Sequence, residues 1–206
     1  AVGLLAGSAS AATTTVHRDG PDGALYDGDY QILNVGDIVF SSSIFNAGCS
    51  SVDLRGTMSS SGTGTLDQAA VSGCESSLGP VQVAFLNLPY TDAQIDEAPA
   101  GSDADGVLRF DDPDLEIQAT IAGSLSCVYG FDSTITSLDF EIRNHDHPAN
   151  TTGQLAGTMN DVTLARKSGS FLCPTGVTAN GLGIAKGKVA PTDTTYDQRL
   201  YVTVTP

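Results

Sequence analysis

Residues 115–121 read Leu115-Glu116-Ile117-Gln118-Ala119-Thr120-Ile121, with apolar side chains at the odd positions and polar ones at the even positions. Successive side chains of a β-strand point to opposite faces, so this alternation predicts a strand with one face buried and one in water. The same alternation occurs at 52–58, 138–143 and 199–204, while 81–88 is apolar on both faces. About ten such runs predict an all-β fold, either an antiparallel sandwich or a barrel.

Charge and length limit the function further. The chain has 206 residues, 9 Lys+Arg against 24 Asp+Glu, and a formal net charge of −15. Such a chain cannot neutralise phosphates, which excludes nucleic acid as a partner. No apolar run approaches the roughly 18–20 residues of a membrane-spanning helix, so we expect no transmembrane segment. We expect a single β domain over 12–206, with halves at about 31–90 and 115–190 and an acidic connection at 91–114.

The first residues indicate export. Residues 1–11 are apolar and small and end in Ala9-Ser10-Ala11, which is typical of the end of a secretory signal peptide and its cleavage site. The alternative is an Ala/Gly/Ser tail of the mature chain. We therefore predict a secreted protein, extracellular or associated with the cell wall.

The cysteines favour the same compartment, because none of them has the C-x-x-C spacing of a zinc or redox site. They allow three disulfide connectivities. The run Leu54-Arg55-Gly56-Thr57-Met58 recurs as Leu155-Ala156-Gly157-Thr158-Met159, which suggests duplication, with chance similarity as the alternative. Duplication would give each half its own pair and favours Cys49–Cys74 and Cys127–Cys173.

Two cysteine-flanked patterns carry a resemblance. Cys49-Ser50-Ser51 with Leu54-x-Gly56-Thr57 and Ser72-Gly73-Cys74 forms the first, and Thr163-Leu164-x-Arg166-x-Ser168-Gly169 with Cys173-Pro174 forms the second. Together they resemble uncharacterised exported actinobacterial proteins that are rich in Gly, Ser and Thr. The resemblance covers roughly 38–88 and 115–177. It implies export and a β fold, and it implies no activity and no catalytic residue.

One segment predicts a helix. Thr91-Asp92-Ala93-Gln94 has the capping-box pattern, and Pro99 would end the helix after at most two turns. The following residues, 101–106, have the composition of a loop.

Two clusters are candidate metal sites. Asp103, Asp105 and Asp112 occupy positions 3, 5 and 12 of a loop that partly matches an EF-hand, so Ca²⁺ is the one candidate cofactor. His145 and His147 are two residues apart and would point to one side of an extended chain, as Zn²⁺ ligands can. The alternatives are a solvated acidic loop and an exposed polar hairpin loop.

Function is expected on loops, as in other secreted β domains. Tyr90 and Phe110 border the loop at 89–113, and the two histidines lie in the loop at 144–153, so these four are the candidate binding residues. We predict a non-enzymatic domain that binds a ligand or partner, or a structural surface protein. Its partner would be an extracellular protein, a glycan or a second copy of the chain. The alternative is a metal-dependent or carboxylate-based extracellular hydrolase.

Overall fold

A computed structural model describes residues 13–205, so the predicted signal remnant at 1–11 lies outside the described residues. Those residues form fifteen strands joined by turns and loops. The strands are β1 Thr13–Arg18, β2 Gly28–Asn34, β3 Ile38–Ser41, β4 Asn46–Met58, β5 Thr63–Leu66, β6 Gln68–Ser76, β7 Gly79–Leu86, β8 Tyr90–Asp96, β9 Gly106–Phe110, β10 Glu116–Ile121, β11 Leu125–Gly130, β12 Leu138–Arg143, β13 Leu155–Gly169, β14 Gly176–Gly187 and β15 Gln198–Thr205. All pairings are antiparallel within one sheet, which confirms the all-β prediction.

Four hairpins close the sheet at one end of the molecule. They are β3–β4, β6–β7, β10–β11 and β13–β14. Each pairs with the next around the ring, through β4–β6, β7–β10, β11–β13 and β14–β3. The result is an eight-stranded closed ring, which leaves no free sheet edge there. We call the hairpin tips at 42–46, 75–80, 121–125 and 168–176 the disulfide end.

The other half of the molecule closes through different strands. The long strands β4, β13 and β14 continue into it, and β2, β5, β8, β9 and β12 complete a second ring of eight. The sheet is therefore a barrel in which three strands run through both halves. The remaining pair, β1 and β15, forms an antiparallel ribbon joined to β14 at Lys186 and Gly187. We call this ribbon with the loops at 59–62, 97–105, 144–154 and 188–197 the terminal-hairpin end.

The interior is apolar because one face of nearly every strand points inward. In β12, for example, Leu138, Phe140 and Ile142 are buried while Asp139 and Glu141 are not. This is the alternation that the sequence predicts. The largest buried cluster runs along the barrel, and a second cluster around Phe45, Val81 and Ile121 lies under the hairpin tips of the disulfide end.

Both predicted disulfides are confirmed. Cys49 and Cys74 lie opposite each other on β4 and β6, with Cα atoms 3.9 Å apart, and Cys127 of β11 joins Cys173 of the β13–β14 loop across 5.7 Å. Each bond therefore links two successive hairpins of the disulfide end. Cross-links over 25 and 46 residues each stabilise the fold by about 3–4 kcal/mol, mainly by restricting the unfolded chain.

The predicted helix at 91–98 is wrong, because this segment is strand β8. Ala93 and Ile95 are buried and alternate with the exposed Gln94, which is the pattern of a strand. The segment pairs with β5 on one side and β9 on the other. These ladder hydrogen bonds outweigh the local capping preference of Thr91. Across residues 13–205, we find no helix of the length and apolarity needed to cross a membrane.

Candidate functional site

The barrel interior contains a cavity of about 120 Å³ that reaches into both halves of the molecule. Tyr30, Leu108 and Phe110 line it towards the terminal-hairpin end, and Phe40 and Ile117 line it towards the disulfide end. Nearly all of its lining atoms are carbon. Small closed barrels either fill this space with side chains or hold one small ligand in it.

A second cavity of about 40 Å³ lies closer to the hairpin tips. Phe40, Val83, Ile117 and Leu164 line both cavities, so the two spaces are neighbours along the barrel axis. Phe45, from the β3–β4 loop, closes the smaller one on its outer side and is itself buried. We call the two spaces together the barrel cavity.

Most polar groups near the barrel cavity are paired. The Tyr30 hydroxyl donates to the Thr65 carbonyl at 2.7 Å, and burial raises the pKa of Tyr30. The Asn34 amide donates to the carbonyls of Gly36 and Ser50, and its oxygen accepts from the Val52 amide. These groups are therefore held by the barrel wall, and the protons that they donate already bond to backbone carbonyls.

Tyr129 differs from them. It lines the smaller cavity and is 2% exposed, yet its hydroxyl has no hydrogen-bond partner among the described residues. Burial raises the pKa of Tyr129, and the nearby positive charge of Arg166 opposes that shift only in part. A buried hydroxyl without a partner costs about 1–3 kcal/mol, so such groups are uncommon in stable proteins. The accessible lining of the smaller cavity is nevertheless entirely apolar, so the Tyr129 ring faces that space and its hydroxyl does not.

Two predicted binding residues are core residues. Tyr90 and Phe110 are buried, at 0% and 1% exposure, and neither reaches the surface loop that they border in sequence. The Tyr90 hydroxyl donates to backbone carbonyls of Leu86 and Glu116, and burial raises the pKa of Tyr90 to about 12. Phe110 packs edge-on against Phe140 and lines the barrel cavity. Only Phe110 of this pair could touch a ligand inside the barrel.

The acidic candidates serve as hydrogen-bond acceptors for the terminal-hairpin end. Asp103 accepts from Arg143 at 2.6 Å, and this hydrogen bond and the charge of Arg143 lower the pKa of Asp103. Asp105 accepts from the backbone amide of Asn144 at 2.7 Å. Asp112 is buried on another part of the barrel, where it accepts from the amides of Thr91 and Asp114. The structure therefore brings Asp103 and Asp105 together and leaves Asp112 apart.

The two histidines also hold local structure. His145 Nε2 lies 2.7 Å from the Asp19 carbonyl, and its ring packs edge-on against Tyr201. His147 Nδ1 accepts from the Ala149 amide at 3.1 Å. Within residues 13–205, no three His, Cys, Asp or Glu side chains group closely enough to hold a metal ion. The loop at 144–154 is instead tied to the β1–β15 ribbon.

Sequence reasoning missed Asn144 and Tyr129. Asn144 is buried. Its side-chain NH2 group donates to the Val202 carbonyl, and its side-chain oxygen accepts from the Val202 backbone amide, both at 2.8 Å. It thus pairs with β15 as a neighbouring strand would. Tyr129 falls on the inward side of β11, which the alternation in residues 125–130 could have shown. Its missing partner depends on the whole barrel and has no sequence signal.

No family model matches the chain, and no curated protein or solved structure matches it either.

Proposed function

We propose that this protein is an exported, non-enzymatic binding module that holds one small apolar molecule in its barrel cavity. The observation that carries the proposal is the carbon-lined space of about 120 Å³ inside a closed, disulfide-linked barrel. For comparison, an engineered apolar cavity of about 150 Å³ in another protein stays dry and binds benzene or xenon. A space of this size and lining favours a compact aromatic or short-chain molecule.

The lining narrows the ligand class. Nearly all of the accessible surface of both spaces is carbon, and the Tyr129 hydroxyl adds nothing to it. A polar group on a ligand would therefore lose its hydrogen bonds to water and gain none from the protein. This supports a ligand without a hydrogen-bonding group.

Export is part of the proposal. Two disulfides and no free cysteine among the described residues favour an oxidising compartment. A cavity inside a cross-linked barrel would keep its shape outside the cell, where disulfides persist.

The test compares two ligands of almost equal shape, benzene and phenol, by calorimetric titration of the oxidised protein. We expect benzene to bind the wild type. Phenol should bind about 5–150-fold more weakly, because burying its hydroxyl without a partner costs about 1–3 kcal/mol.

Y129F and Y90F are the control variants. Neither hydroxyl faces the cavity, so both variants should keep the benzene affinity within about twofold. Y90F should also lose stability, because its hydroxyl bonds to protein carbonyls. Without ligand, Y129F should be as stable as the wild type or more stable, because an unpaired hydroxyl is removed. Absence of benzene binding to the wild type would refute the proposal, as would phenol binding as tight as that of benzene.

A further inference from the structure

The disulfide end exposes large apolar side chains on three of its four hairpin tips. Phe171 is 89% exposed, Leu172 and Ile44 are each 54% exposed, and Leu78 is 48% exposed. These residues belong to the loops β13–β14, β3–β4 and β6–β7. The loops follow one another around the ring, so the side chains surround the same end of the barrel axis. This arrangement is independent of the barrel cavity and of its ligand.

The same local structure presents these side chains on each tip. On each tip a serine side-chain oxygen accepts a hydrogen bond from the backbone amide of the apolar residue. The pairs are Ser42 with Ile44, Ser76 with Leu78, and Ser170 with Leu172. Each serine stands two residues before the apolar residue, as in an ST-turn. The β13–β14 tip is also fixed by the Cys127–Cys173 bond and by Arg166, which donates to the Cys173 carbonyl. The apolar side chains therefore extend into solvent from turns that are already ordered.

The hairpin tips carry almost no charge, although Arg166 reaches the β13–β14 tip and bonds to its Cys173 carbonyl. Glu75 is the only charged residue of the four tips, although the chain carries 33 charged residues in all, counted as 9 basic and 24 acidic. Each of the six ion pairs among residues 13–205 lies outside the tips. A nearly uncharged end with exposed apolar side chains, on a molecule of net charge −15, is complementary to a lipid surface whose headgroups carry no net charge.

The exposed area does not suit a protein partner. A stable protein interface buries roughly 800 Å² on each side. Even at about 200 Å² for a fully exposed large side chain, four partly exposed side chains supply only about half of that area. They also stand on separate convex tips, with serines and glycines between them. Insertion of separate side chains into a lipid interface needs no continuous flat surface.

We propose that the disulfide end docks on a zwitterionic lipid surface, with Phe171, Leu172, Ile44 and Leu78 inserted at the level of the headgroups. The net charge of the protein would face the aqueous side. Anionic lipid should weaken the docking because the protein and the surface would repel each other. Ile44 directly precedes Phe45, which lines the smaller cavity, so a docked barrel would hold that cavity beside the lipid.

The test is flotation of the oxidised protein with phosphatidylcholine vesicles. The wild type should float with them. F171S/L172S should reduce the bound fraction at least tenfold, because two large apolar side chains no longer insert. The matched control is L25S/V189S, which replaces two residues of equal exposure, 55% each, at the terminal-hairpin end. It should bind as the wild type does.

Fluorescence gives a second readout, since the chain contains no tryptophan. F171W should show a blue-shifted emission when phosphatidylcholine vesicles are added, and L25W should show no shift. Phe171 and Leu25 are both exposed, so neither substitution should alter the fold, and circular dichroism checks this.

The proposal is wrong if the wild type does not float, if both double variants lose binding equally, or if binding requires phosphatidylserine. It is also wrong if light scattering shows a dimer that F171S/L172S dissociates, because the tips would then bind a second copy of the chain. Flotation that is lost in F171S/L172S, kept in L25S/V189S and reduced by phosphatidylserine would support it.

Discussion

The two ends of this barrel are stabilised by different interactions. At the disulfide end, four hairpins form a closed ring, two disulfides join successive hairpins, and the tips carry one charged residue. At the terminal-hairpin end, loops and the β1–β15 ribbon are held by side-chain hydrogen bonds and ion pairs, among them Arg143–Asp103 and Lys188–Asp29. The strands β4, β13 and β14 run through both ends.

The difference shows how one apolar interior can be closed in two ways. Cross-links restrict the unfolded chain and need no polar side chains, so the disulfide end can keep an apolar exterior. The loops at the terminal-hairpin end are held by hydrogen bonds, and each buried polar group there needs a partner. That end therefore carries many polar and charged side chains. The cross-linked end is also the end that carries Phe171, the most exposed large apolar side chain among the described residues.

The largest effect is expected at the disulfide end. C127A/C173A should lower the free energy of unfolding by about 3–4 kcal/mol, because the unfolded chain regains the freedom of a 46-residue separation. Urea unfolding of the oxidised variant measures this. C49A/C74A serves as the comparison and should cost a similar amount over its shorter separation of 25 residues. A loss below about 1 kcal/mol in both variants would show that the ring does not need its cross-links.

At the terminal-hairpin end, the largest single contribution should come from Asn144. N144A leaves the amide and the carbonyl of Val202 without partners in a buried site and should cost about 2–3 kcal/mol. Hydrogen exchange should show faster exchange in β15 and unchanged protection in β6 and β7. N160A is the control, because Asn160 is exposed and bonds only to Glu141. Equal losses in the two variants would refute the role of Asn144.

Acid should affect the two ends differently, with the smallest effect of the three. The hydrogen bond to Arg143 lowers the pKa of Asp103 in the folded protein. The ionised Asp103 therefore stabilises the fold at pH values above the pKa of Asp in the unfolded chain, about 3.9. That contribution is lost as the pH falls through the folded value. D103N should therefore melt slightly below the wild type at pH 7, and the difference should vanish near about pH 2. A difference that persists in acid would contradict this assignment.

Much of the fold could be predicted because the burial pattern is local. Alternation in residues 115–121 and 138–143 identified β10 and β12, and the internal repeat favoured the correct disulfide pairing. The error at 91–98 arose because a capping box is also local, whereas the pairing of β8 with β5 and β9 is not. Long-range pairing decided the structure of that segment.

Shared sequence did not predict shared environment. Gly56 and Gly157 occupy the same position of the repeated Leu-x-Gly-Thr-Met run. A Cβ at Gly56 would meet the Thr65 carbonyl oxygen at 1.9 Å, so only glycine fits there, whereas the nearest atom to a Cβ at Gly157 is 3.8 Å away. The candidate site was less predictable still, because strands that are distant in sequence together line the barrel cavity. His145 and His147 were predicted as binding residues because they lie in a loop, whereas the cavity lies inside the barrel.

The most direct test of the central claim is a crystal structure of the oxidised protein under xenon pressure. Xenon binds dry apolar cavities and needs no hydrogen bond, so it reports on the cavity alone. We predict a xenon site inside the barrel, bounded by Phe40, Ile117 and Leu164. A barrel interior without xenon, filled by repacked side chains or by ordered water, would contradict the account.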